Sequence, residues 1–475
     1  MYFYTKINTN MQVQFIGAAR TVTGSKHLIT TDSGFKLLLD CGLFQGAEDA
    51  DENNQNFGFE AQSIDCVILS HAHIDHSGLL PRLVAQGFKG AIYCTPATQS
   101  LCEIMLMDSA KIQQSDAAYA NKKNLEAAQP PLYTLEDAEF ALTLMQPVPY
   151  DVLHRINAEI SFLFTDTAHI LGSAAVQISL TKATNETVQL SFTGDIGRPN
   201  DHILRNPQPF AQADYIISES TYGDKIHPDA TDLEQTLLKI VQDTCLERRG
   251  KIIIPAFSID RTQELIYAID RLKTQNFLPR GLKVFVDSPL SVKATAIINA
   301  HRECFNDEIL NYAHQTDGEP FAFENLKYVS IAEESKQLNQ LDEPCIIISA
   351  SGMADSGRVK HHIKNNVSNA QNTILLVGYC TPSSLAGKLQ MGNDFVYIFG
   401  EKHEVKAQIK TLSGYSAHAD SKEIMAFLSC QNPKLVKKVF LVHGEQKPME
   451  HLKEMLHGAG YASVEMPAKG QIFNL

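Results

Sequence analysis

Four side chains able to bind metal crowd into the segment Ser70–Gly78, which reads SHAHIDHSG and follows the apolar run Cys66–Leu69. The four are His71, His73, Asp75 and His76. Three histidines and an aspartate just past a buried strand would be costly to desolvate without a metal ion or a dense hydrogen-bond network. The segment therefore predicts a metal site at the end of a strand, and it constrains the fold to one in which a sheet delivers further ligands to that place.

The same arrangement of an apolar run, a metal-capable residue and a glycine recurs at four other places. These are Asp40 after residues 37–39, His169 after 162–164, Asp195 after 192–194 and His443 after 439–442. A rigid sheet can aim such loop residues at one point, and glycine allows close backbone approach. Taken singly, His169 and His443 would more often be satisfied polar or surface residues. An aspartate before glycine, such as Asp40, is also an ordinary turn residue.

The number of donors indicates how many ions are present. Zinc takes four protein ligands in a structural tetrahedral site and three in a catalytic one. The seven candidate ligands therefore require two ions. Imidazole and carboxylate without thiolate favour two zinc ions (Zn²⁺), with manganese or iron as alternatives, and leave positions for water and substrate. The seven are His71, His73, Asp75, His76, His169, Asp195 and His443.

The composition is that of a globular protein: 475 residues, 44% of them hydrophobic and 20% charged, predict two domains. No apolar run approaches the roughly 18 residues that cross a bilayer, and no signal peptide is evident, so we expect a soluble, cytoplasmic protein with no membrane partner. Nine cysteines without a CxxC pair fit reduced thiols. The net charge of −13 argues against a surface that binds nucleic acid everywhere, although two ions would add local positive charge.

The apolar pattern changes along the chain. Residues 12–15 and the turn Asp32–Gly34 predict that the chain begins with an antiparallel sheet. Caps at Thr95 and Thr134 predict that helices begin there. From about residue 224, near-continuous apolar runs alternate with helical segments, which predicts a parallel sheet covered on both faces. The runs lead into loops rich in hydroxyls, glycines and arginines. Ligands of open α/β sheets bind at such carboxyl ends of strands, so we expect these loops to face one cleft.

With these residues placed, the chain resembles the β-CASP ribonucleases of the metallo-β-lactamase superfamily over nearly its whole length. The segment GAARTVTGS at 17–25 is similar to the opening loop of that group. The remaining motifs read LLLDCG at Asp40, SHAHIDHSG at 70–78, TAHILGS at His169, TGDIG at Asp195, ISESTYGD at Glu219, GYSAHAD at His418 and VHGE at His443.

The resemblance implies an α/β fold, namely an αββα sandwich formed by residues 1–223 and 409–475 with a parallel-sheet β-CASP domain inserted at 224–408. It also implies a division of the ligands between the two ions. Asp40 would orient a ligand histidine, a role that often matters nearly as much as ligation. One ion would be held by His71, His73 and His169, the other by Asp75, His76 and His443, with Asp195 bridging.

The function implied is hydrolysis of phosphodiester bonds in single-stranded RNA, leaving a 5′-phosphate and a 3′-hydroxyl. Two ions can hold a bridging hydroxide at neutral pH and stabilise in-line displacement. The catalytic residues would be Asp75, Glu219 and His418, with Glu219 orienting His418 to protonate the leaving oxygen. The alternatives are a hydrolase of the same fold acting on DNA or a smaller phosphoester, and a non-catalytic RNA-processing scaffold, which the filled ligand set disfavours.

The inserted domain carries candidate phosphate contacts. Resemblance favours Arg261 in PAFSIDRTQEL and both Ser351 and Arg358 in SASGMADSGR, although such serines also cap helices. Many relatives have a glycine-threonine and a glycine-arginine pair near 380–389, where this chain reads CTPSSLAGKL. Ser384 and Lys388 are the candidates in that loop, and a lysine lacks the bidentate fork of arginine.

Several properties stay open at this point: the physiological RNA, endonuclease or exonuclease action, and the oligomeric state, for which a homodimer is one option. Because Asp40 occurs early and 32 residues follow His443, we expect substrate selection to come from the two domains or from a partner. Five of the histidines outside the motifs are expected to be solvated. They are His361, His362, His403, His451 and His457.

Overall fold

The computed structural model describes residues 11–46, 49–123, 130–227, 233–315, 318–378, 380–412 and 416–475. The chain divides into two compact units, of which the first comprises Met1–Asp201, Arg205–Ile226 and His418–Leu475, and the second His202–Leu204 and His227–Ala417. Across the described ranges, no helix combines the length and the apolar character that a bilayer span needs.

The first unit contains two seven-stranded sheets. The strands of the first sheet are β1 (Gln12–Phe15), β2 (His27–Thr30), β3 (Lys36–Leu39), β4 (Cys66–Ile68), β5 (Ala91–Cys94), β6 (Met145–Pro147) and β22 (Ile472–Asn474). Their order is β22-β1-β2-β3-β4-β5-β6. The pairs from β22 to β3 are antiparallel and those from β3 to β6 are parallel.

The strands of the second sheet are β7 (His154–Arg155), β8 (Ile160–Asp166), β9 (Ala174–Thr181), β10 (Thr187–Phe192), β11 (Tyr215–Glu219), β20 (Lys438–Val442) and β21 (Val464–Glu465). Their order is β21-β20-β11-β10-β9-β8-β7. Strands β10, β11 and β20 run parallel, whereas β9 pairs antiparallel with both β8 and β10. It follows that β8 and β10 run in the same direction and end at the same edge.

The helices of this unit are α1 (Ala50–Gln55), α2 (Ile74–Ser77), α3 (Leu80–Ala85), α4 (Pro96–Lys123), α5 (Leu135–Thr143), α13 (Ser421–Leu428) and α14 (Gln446–Gly458), with a 3₁₀ turn at Ala61–Ser63. Both predicted caps form. The hydroxyl of Thr95 accepts the amide of Thr98, and Thr134 makes a capping box with Asp137.

The core lies between the two sheets, because alternate residues of their strands face each other. Phe15 and Leu39 of the first sheet pack in one buried cluster with Phe162, Phe192 and Phe440 of the second. Burying each such side chain contributes about 1.5–3 kcal/mol. On the outer faces, α13 and α14 pack against the second sheet, and α4, with α5 beside it, contacts β6. These four layers confirm the predicted αββα sandwich.

The second unit is built on a six-stranded sheet in which every pair is parallel. Its strands are β12 (Ile252–Pro255), β13 (Lys283–Val286), β14 (Leu326–Tyr328), β15 (Cys345–Ser349), β16 (Thr373–Val377) and β19 (Gln408–Leu412), in the order β14-β13-β15-β12-β16-β19. Every residue of β12, β15 and β16 is buried, as near-continuous apolar runs require. The predicted parallel-sheet domain is confirmed.

Helices and a hairpin surround this sheet. They are α6 (Leu233–Val241), continued by a π-helical turn (Gln242–Glu247), α7 (Arg261–Thr274), α8 (Pro289–Ala300), a 3₁₀ turn (Arg302–Cys304), α9 (Asp307–Gln315), α10 (Ala332–Leu338), α11 (Gly357–Asn366), α12 (Leu385–Gln390), β17 (Phe395–Ile398) and β18 (Glu401–Glu404). The sequence predicted an inserted domain at 224–408, and the main segment of the second unit is His227–Ala417. The unit extends past residue 408 because strand β19, which begins at Gln408, pairs with β16 inside it.

The expectation that His362 is solvated is wrong. The side chain is fully buried, its Nε2 lies 2.6 Å from Asp287 Oδ2, and its Nδ1 lies 2.9 Å from Asn339 Oδ1. Residues 359, 362, 363 and 366 of α11 share one buried face, which draws His362 inward. Its carboxylate partner is distant in the sequence, so the pattern of residues around His362 does not reveal it.

Candidate metal centre

All seven predicted ligands lie where strands of the first unit end, and the structure brings them together. His71 and His73 follow β4, and Asp75 and His76 lie in the short helix α2. His169 follows β8, Asp195 follows β10 and His443 follows β20. The short helix α2 starts directly after His73, which turns Asp75 and His76 toward the same edge. A Cβ atom at Gly42 would lie 1.6 Å from the carbonyl oxygen of Asp75, so only glycine permits this approach.

One group of donors consists of His71, His73, His169 and Asp195. The Nδ1 atom of His73 lies 3.2 Å from Nε2 of both His71 and His169. Asp195 Oδ2 lies 3.6 Å from His71 Nε2 and 3.5 Å from His169 Nε2. Ligand atoms about 2.1 Å from a tetrahedral zinc ion are about 3.4 Å apart, so the observed spacing fits a common ion.

A second group consists of Asp75, His76 and His443. His443 Nε2 lies 3.4 Å from Asp75 Oδ2, and His76 Nε2 lies 3.3 Å from Asp195 Oδ2. Among the described residues, the buried atoms His76 Nε2 and Asp195 Oδ1 have no hydrogen bond and only ion-pair contacts, at 3.3 and 3.6 Å. An unpaired buried polar atom costs about 1–3 kcal/mol. A cation among these atoms would remove that cost, so the donor set fits a metal centre with Asp195 between the two groups.

Asp40 is fully buried and holds His76 in place. Its Oδ2 lies 2.7 Å from His76 Nδ1, which leaves Nε2 of the same ring directed at Asp195. The carboxylate also accepts the amide of Ser70 at 2.8 Å and the hydroxyls of Ser25 and Ser70 at 3.1 and 3.0 Å. A carboxylate on the far ring nitrogen fixes the orientation of a ligand histidine. The predicted orienting role therefore has the geometry that it needs.

Sequence reasoning missed three hydroxyls that support the site. Ser25 and Ser70 donate to Asp40, and the Thr221 hydroxyl lies 2.9 Å from His443 Nδ1. Ser25 and Ser70 lie inside motifs, but serine is common in loops, and only the contact with Asp40 reveals their role. Thr221 is 222 residues from His443 in the chain, so no local pattern connects the two.

We expect Asp40→Ala to weaken zinc binding by about 10–100-fold, because His76 loses the acceptor that orients it. A zinc competition titration with a fluorescent chelator measures this effect. Asp65→Ala is the matched control, since Asp65 is an exposed carboxylate that accepts the amide of Lys36 on the same strand pair. Equal zinc affinities of Asp40→Ala and the control would show that Asp40 does not support zinc binding.

Glu219 and His418 form a pair beside the donors. His418 Nδ1 lies 3.3 Å from Glu219 Oε2 and 3.8 Å from Asp195 Oδ2, and its ring centroid is 4.5 Å from that of His169. Glu219 is buried at the end of β11 and accepts the amide of Ile196, so it cannot turn away. His418 is 21% exposed and thus reachable from solvent. Within its motif GYSAHAD, Gly414 and Tyr415 lie outside the described residues.

Burial and mutual charge set the protonation states of the ligands. Burial lowers the pKa of His71 well below its ordinary value and that of His73 to about 4. Burial alone would raise the pKa values of Asp75 and Asp195, but neighbouring histidines, with His443 foremost, outweigh it and lower both. These four ligands therefore favour the deprotonated forms that bind metal ions.

The two histidines held by carboxylates behave differently. Burial opposes the charge on His418, yet Glu219 and Asp195 outweigh it and raise its pKa to about 9. Burial likewise opposes the charge on His76, and Asp195 and Asp40 raise its pKa well above the ordinary value. The neighbouring carboxylates thus favour the protonated form of both side chains when no metal ion is bound.

The predicted phosphate contacts all lie in the second unit, and the arginines are occupied by other groups. Arg261 begins α7, is buried, and pairs with Glu264. Arg358 donates to Asp287 Oδ1 at 2.7 Å and to the backbone oxygens of residues 329 and 330. Both guanidinium groups thus have structural partners, and phosphate binding by Arg261 and Arg358 stays a prediction.

The other three candidates differ in what engages them. Ser384 caps α12, accepting the amide of Gly387 and donating to the carbonyl of Thr381. Ser351 follows β15 and is partly exposed, and Lys388 is exposed on α12. Ser384 is thus a helix cap, a role that the sequence suggested for Ser351 instead, whereas the side chains of Ser351 and Lys388 are accessible from solvent.

Histidines and aspartates gathered at the edge of an αββα sandwich define a metallo-hydrolase of the metallo-β-lactamase type, and the inserted parallel-sheet unit is typical of its β-CASP branch. Three family models match the chain. They are the metallo-beta-lactamase superfamily at residues 27–241, the Beta-Casp domain at 262–389 and the Zn-dependent metallo-hydrolase RNA specificity domain at 402–467.

Relatives that match more than nine-tenths of this chain agree with these models. The chain is 34% identical to ribonuclease TTHA0252 of Thermus thermophilus, a match that covers 94% of this chain and 96% of that protein. It is 30% identical to transcription termination factor FttA of Methanocaldococcus jannaschii, over 92% of this chain and 67% of the relative. The chain belongs to the β-CASP family of the metallo-β-lactamase superfamily, as its motifs predict.

Two further comparisons extend this result. The chain is 28% identical to the cleavage and polyadenylation specificity factor 73 of Drosophila melanogaster, covering 93% of this chain and 61% of that protein. A crystal structure of a protein of unknown function from Enterococcus faecalis superposes with a TM-score of 0.55 at 13% identity, covering 98% of this chain and 100% of that one. The second comparison supports the fold alone.

Proposed function

We propose that this protein is a ribonuclease that hydrolyses phosphodiester bonds of single-stranded RNA at a centre of two zinc ions, leaving a 5′-phosphate and a 3′-hydroxyl. One observation carries the proposal: Asp195 Oδ2 lies 3.5 Å from His169 Nε2 of one donor group and 3.3 Å from His76 Nε2 of the other. The Glu219–His418 pair lies directly beside them. The name of the Thermus relative and the RNA specificity model favour RNA as the substrate.

We assign the seven donors to the two ions as the family resemblance implies. His71, His73 and His169 would hold one ion, Asp75, His76 and His443 the other, and Asp195 would contribute to both. Imidazole and carboxylate donors suit zinc, and manganese and iron are the alternatives to test. When bound, the ions would supply an activated water molecule and neutralise the charge of the phosphate group.

The remaining step is proton transfer to the leaving group. Products with a 3′-hydroxyl require the bond between phosphorus and the 3′ oxygen to break, while the oxygen of water stays on the 5′-phosphate. Glu219 holds His418 through Nδ1, so the proton would leave from Nε2 of that ring. A histidine fixed by a buried carboxylate is suited to this general-acid role.

Matched RNA and DNA 20-mers of one unstructured sequence test the proposal. We expect the zinc-loaded protein to cleave the RNA, and hydrolysis in H₂¹⁸O to place the heavy oxygen on the new 5′-phosphate, as mass spectrometry reads directly. Faster cleavage of the DNA, or a 2′,3′-cyclic phosphate at the fragment ends, would contradict the proposal.

Metal removal should abolish activity without unfolding the chain, because the core between the sheets does not depend on the ions. We expect dialysis against EDTA to eliminate cleavage, and two equivalents of zinc per chain to restore it with a titration endpoint at two. Circular dichroism of the stripped protein checks the fold. Full recovery with a single equivalent would exclude a catalytic ion pair.

A further inference from the structure

The β17–β18 hairpin of the second unit carries three exposed aromatic side chains, Phe395, Tyr397 and Phe399, here named the aromatic strip. Their exposed fractions are 43%, 62% and 50%. Alternation along the strand explains the arrangement, because Val396 and Ile398 point the other way into the buried core of that unit. The hairpin is therefore anchored by one face while the aromatic strip is left to solvent.

A single exposed aromatic residue needs no explanation, but three within five residues concentrate exposed apolar surface of the kind that marks interaction sites. The rings of Phe395 and Tyr397 are 5.9 Å apart and nearly perpendicular, at 88°. Bases stacked on these two rings would be splayed apart, as the bases of unpaired RNA are when proteins bind them.

Lysines surround the aromatic strip. Lys402 Nζ lies 3.9 Å from the centroid of Phe395, and Lys360 Nζ lies 5.1 Å from that of Phe399. Helix α12, which carries Lys388, contacts β17. Among the described residues, neither Lys402 nor Lys388 pairs with a carboxylate, so both ammonium groups are available to phosphates.

The local charge differs in sign from that of the whole chain. Five lysines and three carboxylates lie on or next to the hairpin, whereas the chain has a net charge of −13; they are Lys360, Lys364, Lys388, Lys402, Lys406, Asp394, Glu401 and Glu404. Two of the carboxylates are already paired, Glu401 with Lys364 at 2.8 Å and Glu404 with Lys406 at 2.9 Å. The surface around the aromatic strip thus complements a polyanion.

We propose that the aromatic strip is a second contact for single-stranded RNA, apart from the residues that perform hydrolysis, with bases stacked on its rings and phosphates held by Lys402 and Lys388. Aromatic platforms with flanking cations bind single strands with little regard to sequence. The proposal rests on the proposed function. A second copy of the chain is a poorer occupant, because a two-fold contact would place lysines against lysines.

The double variant Phe395→Ser/Tyr397→Ser tests the proposal on the full chain. Because both side chains are exposed, we expect the fold to persist, as a thermal melt shows. Stacking contributes about 1–3 kcal/mol per base, so the Kd for a labelled 30-nucleotide RNA, measured in EDTA by fluorescence anisotropy, should rise at least about tenfold. For the zinc-loaded enzyme, KM for this RNA should rise as well.

Two controls separate stacking from general effects. Phe395→Tyr/Tyr397→Phe keeps both rings and should bind as the wild type does. Phe277→Ser removes a ring that is 54% exposed elsewhere in the same unit and should also have no effect. A crosslink from 4-thiouridine RNA to the peptide that contains residues 395–399 is the positive result expected in the wild-type protein.

The outcomes are distinguishable from failure of the proposed function. An unchanged Kd of the double serine variant for RNA would overturn the proposal that the aromatic strip binds RNA, whatever the enzyme cleaves. Loss of RNA binding in that variant, with no cleavage by the wild type, would support RNA binding by the aromatic strip and contradict the proposed ribonuclease activity. A shift from dimer to monomer in sedimentation with unchanged RNA binding would make the strip an interface between copies and overturn the proposal.

Discussion

Asp195→Ala is expected to lower the turnover of RNA by at least about 10³-fold, because charge stabilisation by metal ions contributes several kcal/mol and about 1.4 kcal/mol is tenfold in rate. Asp195 lies between the two donor groups, 3.3 Å from His76 and 3.5 Å from His169. Its removal also leaves each ion with fewer ligands. Elemental analysis of the purified variant should therefore find fewer than two zinc equivalents.

The control for this substitution is Asp214→Ala. Asp214 lies just before β11, accepts the amide of Gln189 and pairs with Lys437, so it is a carboxylate at the opposite end of the same sheet. We expect this variant to lose some stability while keeping both ions and its turnover. A fully metallated, active Asp195→Ala protein would show that the ions are held by other residues.

His418→Ala has the second largest expected effect, a loss of about 10²–10⁴-fold in RNA turnover with both ions retained. His418 Nδ1 lies 3.3 Å from Glu219 Oε2 and 3.8 Å from Asp195 Oδ2, and these three residues with His443 also form a donor group that could hold a metal ion. Retention of both ions in the variant therefore distinguishes a general acid from a ligand. The distinguishing substrate is bis(p-nitrophenyl) phosphate, whose leaving group departs without a proton. A general acid is unnecessary there, so His418→Ala should hydrolyse it nearly as fast as the wild type.

Two variants complete this experiment. Glu219→Gln keeps the imidazole but weakens its orientation, so we expect an intermediate loss on RNA. His451→Ala removes an exposed histidine that contacts the carbonyl of Gly223, and we expect no loss. If His418→Ala lost zinc, or lost the same factor on both substrates, His418 would be a ligand and not an acid.

The sequence predicted much of the fold because its local rules act over few residues. The hairpin between β2 and β3, the caps at Thr95 and Thr134, and the buried parallel strands β12, β15 and β16 are all confirmed. Each depends on turn chemistry, capping or apolar periodicity within about ten residues. The layered arrangement then follows, since apolar faces must pack against one another.

Contacts between distant segments were harder to predict. His362 and Asp287 are 75 residues apart, and the structure joins them in the core of the second unit. Arg358 was expected to bind phosphate because arginine suits it, yet it donates to the same Asp287 at 2.7 Å. Which polar group meets which is set by tertiary packing, and residue type alone gives only the range of partners.

The donors at the metal centre were more predictable than other polar residues for a physical reason. Metal ligands are few in type and sit at strand ends, so each leaves a recognisable local pattern. Their supporting partners Ser25, Ser70 and Thr221 are hydroxyls of a common kind, and only their contacts identify them. The aromatic strip was likewise missed, because alternation predicts a strand but not which of its faces the rest of the unit covers.

The most direct test of the ion pair is a crystal structure of the zinc-loaded protein with anomalous data collected on both sides of the zinc absorption edge. We expect two peaks that vanish below the edge, one among His71, His73 and His169 and the other among Asp75, His76 and His443, with Asp195 contacting both. A single peak, or none at these residues, would contradict the two-ion centre.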